Sequence, residues 1–337
     1  MKIAKILMTA LGIYLLVRLV LTIGPTALAT QLSALGWSLA ILAVLGLVKL
    51  GLRTWSWRQA LVADGVQTTG GQLFGARLIS QTFGYLSAVG PLMADPLKPL
   101  LLRDTVDIAA STPGTLVETA IFWFTSLLFI LAGAFSGILL ASSGPQLLAV
   151  TLAVVAIMVA GFVFLMSKAP FVPRLRGLLA RKWKDHPARL TAWLIQAEGI
   201  EEPTVSFHRR HPKALRHILL LNLAVQVVMG AEVLVVLAAI GVKIGLLQLL
   251  AAEGATRMAK ILTFYIPARV GADEASGAGV FVLFGMDGAA GLTLAIARRV
   301  QALVWVAAGL AWWQVMSSRK PGKEGSCAIS ALAASNR

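Results

Sequence analysis

Two apolar runs, Leu116–Leu140 and Leu147–Met166, stand on either side of the uncharged stretch Ala141–Gln146. Each is long enough to cross a hydrocarbon core of about 30 Å. A backbone in that core has no water to bond to, so it must close its own hydrogen bonds, and runs of this length do so as helices. Comparable runs occur at Ile6–Ile23, Leu35–Leu52, Ile218–Ile240 and about Gly291–Val315. Composition agrees: 58% of the 337 residues are hydrophobic and 13% charged, with a mean hydropathy of +0.80. Soluble domains carry about 25% charged residues. The expected fold class is an all-α polytopic membrane protein with about six to eight transmembrane helices.

Charge distribution sets the expected topology. Lys2, Lys5, Lys49, Arg53 and Arg58 flank the outer ends of the first two runs, and the linker Gly24–Ala34 carries no charge. The stretch Ser167–His217 holds eleven Lys/Arg against four acids. Basic loops stay cytoplasmic, so this loop and both termini are expected inside the cell, in a multi-pass protein of the inner (plasma) membrane. The net charge of +15 then reports topology and contact with anionic lipid, with no nucleic acid implied. Met1–Ile23 has a signal-like start, but its apolar run is of spanning length and reads as a retained first span. Residues 1–316 are expected to form one integral membrane domain, including the cytoplasmic loop 167–217. Residues 317–337 read as a polar, disordered cytoplasmic tail.

Two stretches do not fit clean spans. Leu73–Leu102 is apolar but interrupted by Gly84, Gly90, Pro91, Pro96 and Pro99, and it carries Arg77, Asp95, Lys98 and Arg103. Tyr265–Gly277 holds Pro267 and Gly271 amid Arg269, Asp273 and Glu274, with Lys260 upstream. Pro267 lacks a backbone donor and Gly271 admits unusual backbone angles, so the helix is expected to break there. Counting crossings, each stretch crosses an even number of times, the first starting inside and the second outside. Both are expected to be re-entrant or broken helical hairpins, with breaks near Gly90–Pro96 and Pro267–Gly271. Interrupted segments in corresponding positions of two halves point to a site at an inverted-repeat interface. On this reading Pro91, Asp95 and Lys98 correspond to Pro267, Gly271 and Glu274.

Charges at membrane depth face a cavity or a partner. Glu274 is the leading candidate for contact with a headgroup, with Arg269 and freed backbone amides at its phosphate. The alternative is a structural pair with Arg298 or Lys260. Asp95 and Lys98 lie three apart and can pair on one helical face. Glu232 shares a polar stripe with Asn222 and Gln226, which faces either a hydrated cavity or a neighbouring helix. Glu253, Arg257 and Lys260 form one charged face. Of the adjacent Arg298 and Arg299, Arg298 is the preferred candidate. Glu118, near the start of its run, reads as interfacial. The substrate-binding set is thus Asp95, Lys98, Glu232, Lys260, Arg269, Asp273, Glu274 and Arg298, with Pro91, Pro267 and Gly271 as structural breaks.

The motifs Pro91-Leu92-Met93-Ala94-Asp95-Pro96-Leu97-Lys98 and Pro267-Ala268-Arg269-Val270-Gly271-Ala272-Asp273-Glu274, the latter followed by Gly285 and Arg298, resemble the lysylphosphatidylglycerol synthase transmembrane, or flippase-like, family. The resemblance covers about residues 5–315. It implies a membrane unit that moves an aminoacylated phospholipid between leaflets, joined in the best-known members to a soluble domain that makes that lipid. This chain stops at Arg337, so synthase activity is not expected. Asp95 and Lys98 stand where the family more often has Gly-Glu/Asp and Arg, so the headgroup is left open.

The expected function is translocation of a lipid with a polar headgroup. Alternatives are an accessory or scaffold protein of a lipid, glycolipid or hopanoid pathway, and a lipid-modifying transferase. A transferase needs an acid/base or metal constellation. The chain has four His, all in or beside the basic loop, a lone Cys327, and no HExxH, GxxxxGK[ST] or GxSxG motif. No enzyme activity, cofactor or metal is therefore expected. The expected partners are membrane lipids, with a second copy of the chain or a biosynthetic protein as further candidates.

Overall fold

The structure, a computed structural model, describes residues 35–87, 91–140, 201–263 and 272–318, with five single positions between 153 and 199. These residues are helical and contain no strand. Eight helices follow in order: α1 Ser38–Ala63, α2 Gly70–Leu86, α3 Pro91–Leu102, α4 Ile108–Leu140, α5 Pro212–Ala239, α6 Leu246–Leu262, α7 Ala272–Leu283 and α8 Gly288–Ser318. The helical residues 201–210 lead into α5. Four helices, α1, α4, α5 and α8, are long and apolar enough to cross a membrane. The expected span Ile6–Ile23 and all but four positions of Leu147–Met166 lie outside the described residues, as do the linkers at 24–34 and 141–146, most of loop 167–217, Arg269, Pro267, Gly271 and nearly all of the tail.

The helix lengths repeat. They run 26, 17, 12 and 33 residues from α1 to α4, then 28, 17, 12 and 31 from α5 to α8. At 1.5 Å per residue the short arms reach only about 25 and 18 Å, so neither crosses alone and each pair makes a hairpin. The local signals repeat as well. Gly65 and Gly241 have φ of 80° and 76°, a left-handed conformation that glycine takes without strain. Each closes its long helix with the same two backbone bonds, Gly65 N–H to Val62 and Val66 N–H to Leu61, Gly241 N–H to Ala238 and Val242 N–H to Leu237. Next, Gln72 accepts the Thr69 amide as Gln248 accepts the Gly245 amide, opening α2 and α6 alike. The step is 176 residues each time (241 − 65, 245 − 69, 248 − 72).

Packing follows the repeat. Trp57, Leu61, Val66, Leu73 and Ala76 join one apolar cluster. Their counterparts at the same step, Val233, Leu237, Val242, Leu249 and Ala252, join another. Neighbour relations are matched too: α2 lies on α3 as α6 on α7, α3 on α4 as α7 on α8, and α8 crosses α2 as α4 crosses α6. Between the halves, Lys49 meets Glu232 and Ser56 meets Asn222, and beyond the helix end Asp64 meets Arg210. Numbers rise along α1 as they fall along α5, so the two equivalent helices are antiparallel. A twofold axis that exchanges them lies across their length, in the plane of a bilayer. The halves are an inverted repeat, the arrangement the sequence admitted.

Three expectations need correction. First, α2 ends at its C-cap Ser87 and α3 is helical from Pro91, so the first break does not extend through Pro96 as expected. Pro91 heads α3, where a missing N–H costs nothing, and the helix continues through Pro96 and Pro99. Pro99 is buried against protein, where a membrane helix tolerates such a residue, whereas Pro96 is exposed. Second, Pro91 corresponds to Ala272, the first residue of α7, so Asp95 and Lys98 are not the counterparts of Gly271 and Glu274. Third, the long helices outrun their apolar stretches: α4 begins at Ile108 rather than Leu116, and α1 continues to Ala63 rather than Leu52.

Where α4 crosses α6, a Cβ built on Gly133 falls 2.5 Å from the Leu250 oxygen and 2.7 Å from Gly254 Cα. Small residues permit this approach in membrane helix packing. Gly133→Val should therefore lower stability by about 1–3 kcal/mol. Gly51→Ala, with open space around its Cβ, should not. Thermal unfolding of the two variants in detergent checks this, and equal melting temperatures would contradict the close crossing.

Candidate functional site

A cavity of about 280 Å³ opens between the two halves, near the middles of α1 and α5. Six cationic side chains line it: Lys49 and Arg53 from α1, Arg77 from α2, Lys260 from α6, and Arg298 and Arg299 from α8. Two carboxylates, Glu232 and Asp273, share the lining, as do Gln301, Trp305 and Tyr85.

On one side of the cavity sits Glu118, which is fully buried. Arg53 donates to its Oε1 through Nε and Nη2, at 3.2 and 3.0 Å. Arg77 Nη2 stands 2.9 Å from Oε2 as a charge contact out of hydrogen-bond alignment. Lys98 reaches the same oxygen at 3.3 Å and also donates to Asp95 at 2.6 Å. Aromatic faces back the cations: Arg53 lies 3.6 Å from the centroid of Phe122, and Arg77 is 5.5 Å from that of Trp57. Trp57 is held in turn by its indole N–H donating to Thr115.

On the other side Glu253 takes the equivalent place of Arg77, one step of 176 residues on (253 − 77), and Arg298 that of Glu118 (298 − 118 = 180). The α4–α8 step is 180 because Asp107 and Asp287, the acceptors that open those helices, are themselves 180 apart (287 − 107). The pair survives with its charges exchanged: Arg77 on α2 faces Glu118 on α4, and Glu253 on α6 faces Arg298 on α8. The third partner corresponds too. Arg53 donates to Glu118, and Arg298 donates to the carbonyl of Met229, the counterpart of Arg53. Arg257 completes this side, pairing with Glu253 at 3.0 Å and donating to Gln226. Gln226 in turn donates to Thr125 and Ser126.

Placement of the expected residues is as follows. Glu232, Lys260, Asp273 and Arg298 line the cavity. Glu232 accepts from Lys49 at 2.6 Å and from Gln301 at 2.8 Å, whereas Asn222 and Gln226 on its stripe bind neighbouring helices. Asp95 and Lys98 form the expected local pair, set behind Glu118. Glu274 lies behind the wall, and its two oxygens meet Nε and Nη2 of Arg299 at 2.6 and 2.9 Å. The alternative of a structural pair for Glu274 holds with a different partner than Arg298 or Lys260: Arg298 turns to Glu253 and its neighbour Arg299 takes Glu274. Glu118 is central rather than interfacial, because its helix starts almost three turns earlier. Sequence reasoning did not assign Lys49, Arg53, Arg77, Glu118 or Arg299 to the site. The signal available was the repeated punctuation, Asp64-Gly65-Val66 against Ile240-Gly241-Val242, which aligns Arg77 with Glu253.

Two inverted helical halves around a buried, charge-lined cavity define a polytopic membrane protein built on an inverted repeat. The chain belongs to the family described as the lysylphosphatidylglycerol synthase TM region, whose model matches residues 3–309, and that membership ties it to membrane lipid. Comparison with curated proteins and with solved structures gave no match.

Removing one member of a buried ion cluster leaves the others uncompensated, at a cost of about 3–5 kcal/mol. Glu118→Gln strands Arg53 and Arg77, leaves Lys98 with Asp95 alone, and should destabilise by that order. Glu274, about one-fifth exposed and held by Arg299, should lose less on change to Gln. Melting temperatures of the two purified variants decide it; an equal or larger loss for Glu274→Gln would place the organising charge elsewhere.

Proposed function

We propose that this protein moves a lipid with a polar headgroup between membrane leaflets, the headgroup passing through the cation-lined cavity while the acyl chains stay in lipid. One observation carries the reading: the cavity lies between inverted halves and holds more cations than its carboxylates balance. Uncompensated charge at membrane depth is costly, and a ligand of opposite sign relieves that cost. At about 280 Å³ the cavity is near the lower edge of ordinary ligand sites, about 300–1,000 Å³, a size for a headgroup rather than a whole lipid. Rocking of one half against the other would expose the site to each leaflet in turn, the route open to inverted repeats. On the positive-inside reading the membrane is the inner membrane and both termini are cytoplasmic. The role is transport without a chemical step on the lipid, and its partner is the lipid itself.

The test separates transport from folding. The double variant Lys49→Gln/Glu232→Gln removes both charges of a pair in the cavity lining at constant net charge, and the other partner of Glu232, Gln301, is neutral, so it should insert and melt nearly as wild type. A charge-assisted hydrogen bond contributes about 1.5–3 kcal/mol, so lipid movement in reconstituted vesicles should fall on the order of ten- to a hundredfold. A double variant that moves lipid at the full rate would make the pair purely structural and remove this reading of the cavity.

A further inference from the structure

We propose that the headgroup is a bare phosphate ester, a phosphomonoester or diphosphate with about two negative charges, and that headgroups bearing an ammonium are disfavoured. This deepens the reading above and rests on it.

The charge count comes first. The lining holds six cations and two carboxylates. Directly behind it stand two further cations, Lys98 and Arg257, and four carboxylates, Asp95, Glu118, Glu253 and Glu274. Eight cations against six carboxylates leave an excess of two positive charges (8 − 6) in a network buried at Glu118, Arg77, Lys98 and Glu253 and partly exposed at Lys49, Arg53 and Asp95. In sequence, the link 264–271 between α6 and α7 adds Arg269 and no acid, and the link 88–90 between α2 and α3 adds no charge. A ligand that brings about two negative charges would balance this excess, and burial of the rest of the network makes that balance favourable. A phosphomonoester at neutral pH carries about −1.5 to −2 and three acceptor oxygens. A phosphodiester brings one charge, and a zwitterionic headgroup brings none.

The carboxylates argue against an ammonium. Glu274 is engaged by Arg299 through both oxygens, Glu253 by Arg257 and Arg298, Glu232 by Lys49 and Gln301, and Glu118 by three cations. An ammonium entering here would have to displace a guanidinium or lysine from its acid. Hydrogen-bond supply points the same way. Arg77 Nε and the Trp305 indole N–H are buried donors without an acceptor among the described residues, and both residues line the cavity. Arg77 is only 3% exposed. Phosphate oxygens supply the missing acceptors, and a guanidinium is suited to take them in pairs.

The experiment uses the full chain in vesicles doped with tail-labelled lipids of one acyl composition: phosphatidic acid, phosphatidylglycerol, phosphatidylcholine and an aminoacylated phosphatidylglycerol. Leaflet exchange is read by quenching the label from outside. In parallel, melting of the detergent-solubilised protein is followed with inorganic pyrophosphate. Phosphatidic acid should exchange on the order of ten times faster than phosphatidylcholine and the aminoacylated lipid, with pyrophosphate raising the melting temperature. Lys49→Gln, which removes one lining charge, should shrink the advantage of phosphatidic acid over phosphatidylglycerol. Equal exchange of all four lipids, or preference for the aminoacylated one, would overturn the phosphate assignment while leaving translocation standing. Stabilisation by pyrophosphate with no lipid exchange would overturn translocation and make free phosphate the source of the anion. Neither stabilisation nor exchange by a folded protein would overturn both.

Discussion

Everything in this structure depends on keeping ionised side chains at membrane depth. Glu118 is acceptable inside only because Arg53, Arg77 and Lys98 converge on it, each from a different helix. Those contacts tie α1, α2, α3 and α4 into one half. The second half solves the same problem with the signs exchanged, Glu253 accepting from Arg257 and Arg298 across α6 and α8. Each half is thus closed around an ion cluster, and the cavity is the space left between the two clusters.

The exchange of sign has a physical reading. An ion pair between two helices depends on charge product and distance, not on which helix carries which sign, so a repeat can swap its signs and keep its packing. What cannot be swapped is the backbone punctuation. Gly65 and Gly241 take a conformation other residues resist, and Gln72 and Gln248 satisfy amides that have no helical acceptor. These positions persist where the charged ones diverge.

That distinction explains which features were legible in the sequence. The helical membrane class, four of the spans and the existence of two short-armed hairpins follow from apolar run length and from Gly/Pro interruptions. Helix ends and the site did not follow. Hydropathy measures the length of helix facing lipid, whereas α4 begins with the polar Ile108–Thr115 stretch, in which Ser111 and Thr115 are buried against protein. Reading the helix from Leu116 put Glu118 at the membrane edge when it belongs in the interior. Arg53 reads as a flanking charge for the same reason, although α1 runs ten residues past it. The pairing of Glu274 depends on helical phase: Arg298 and Arg299 point about 100° apart, and only the packing of α7 on α8 selects between them.

The central claim is that the halves are inverted, so that equivalent hairpins enter from opposite faces. Thr69 and Gly245 open the two hairpins at equivalent positions and carry no buried contact. In a Cys327→Ser background, a cysteine at each is tested with a membrane-impermeant thiol reagent, on intact cells and on inside-out vesicles. The inverted repeat predicts that Thr69→Cys reacts only in the vesicles and Gly245→Cys only in the cells. Reaction of both from the same face would contradict it, and with it the account of the cavity as a site between inverted halves.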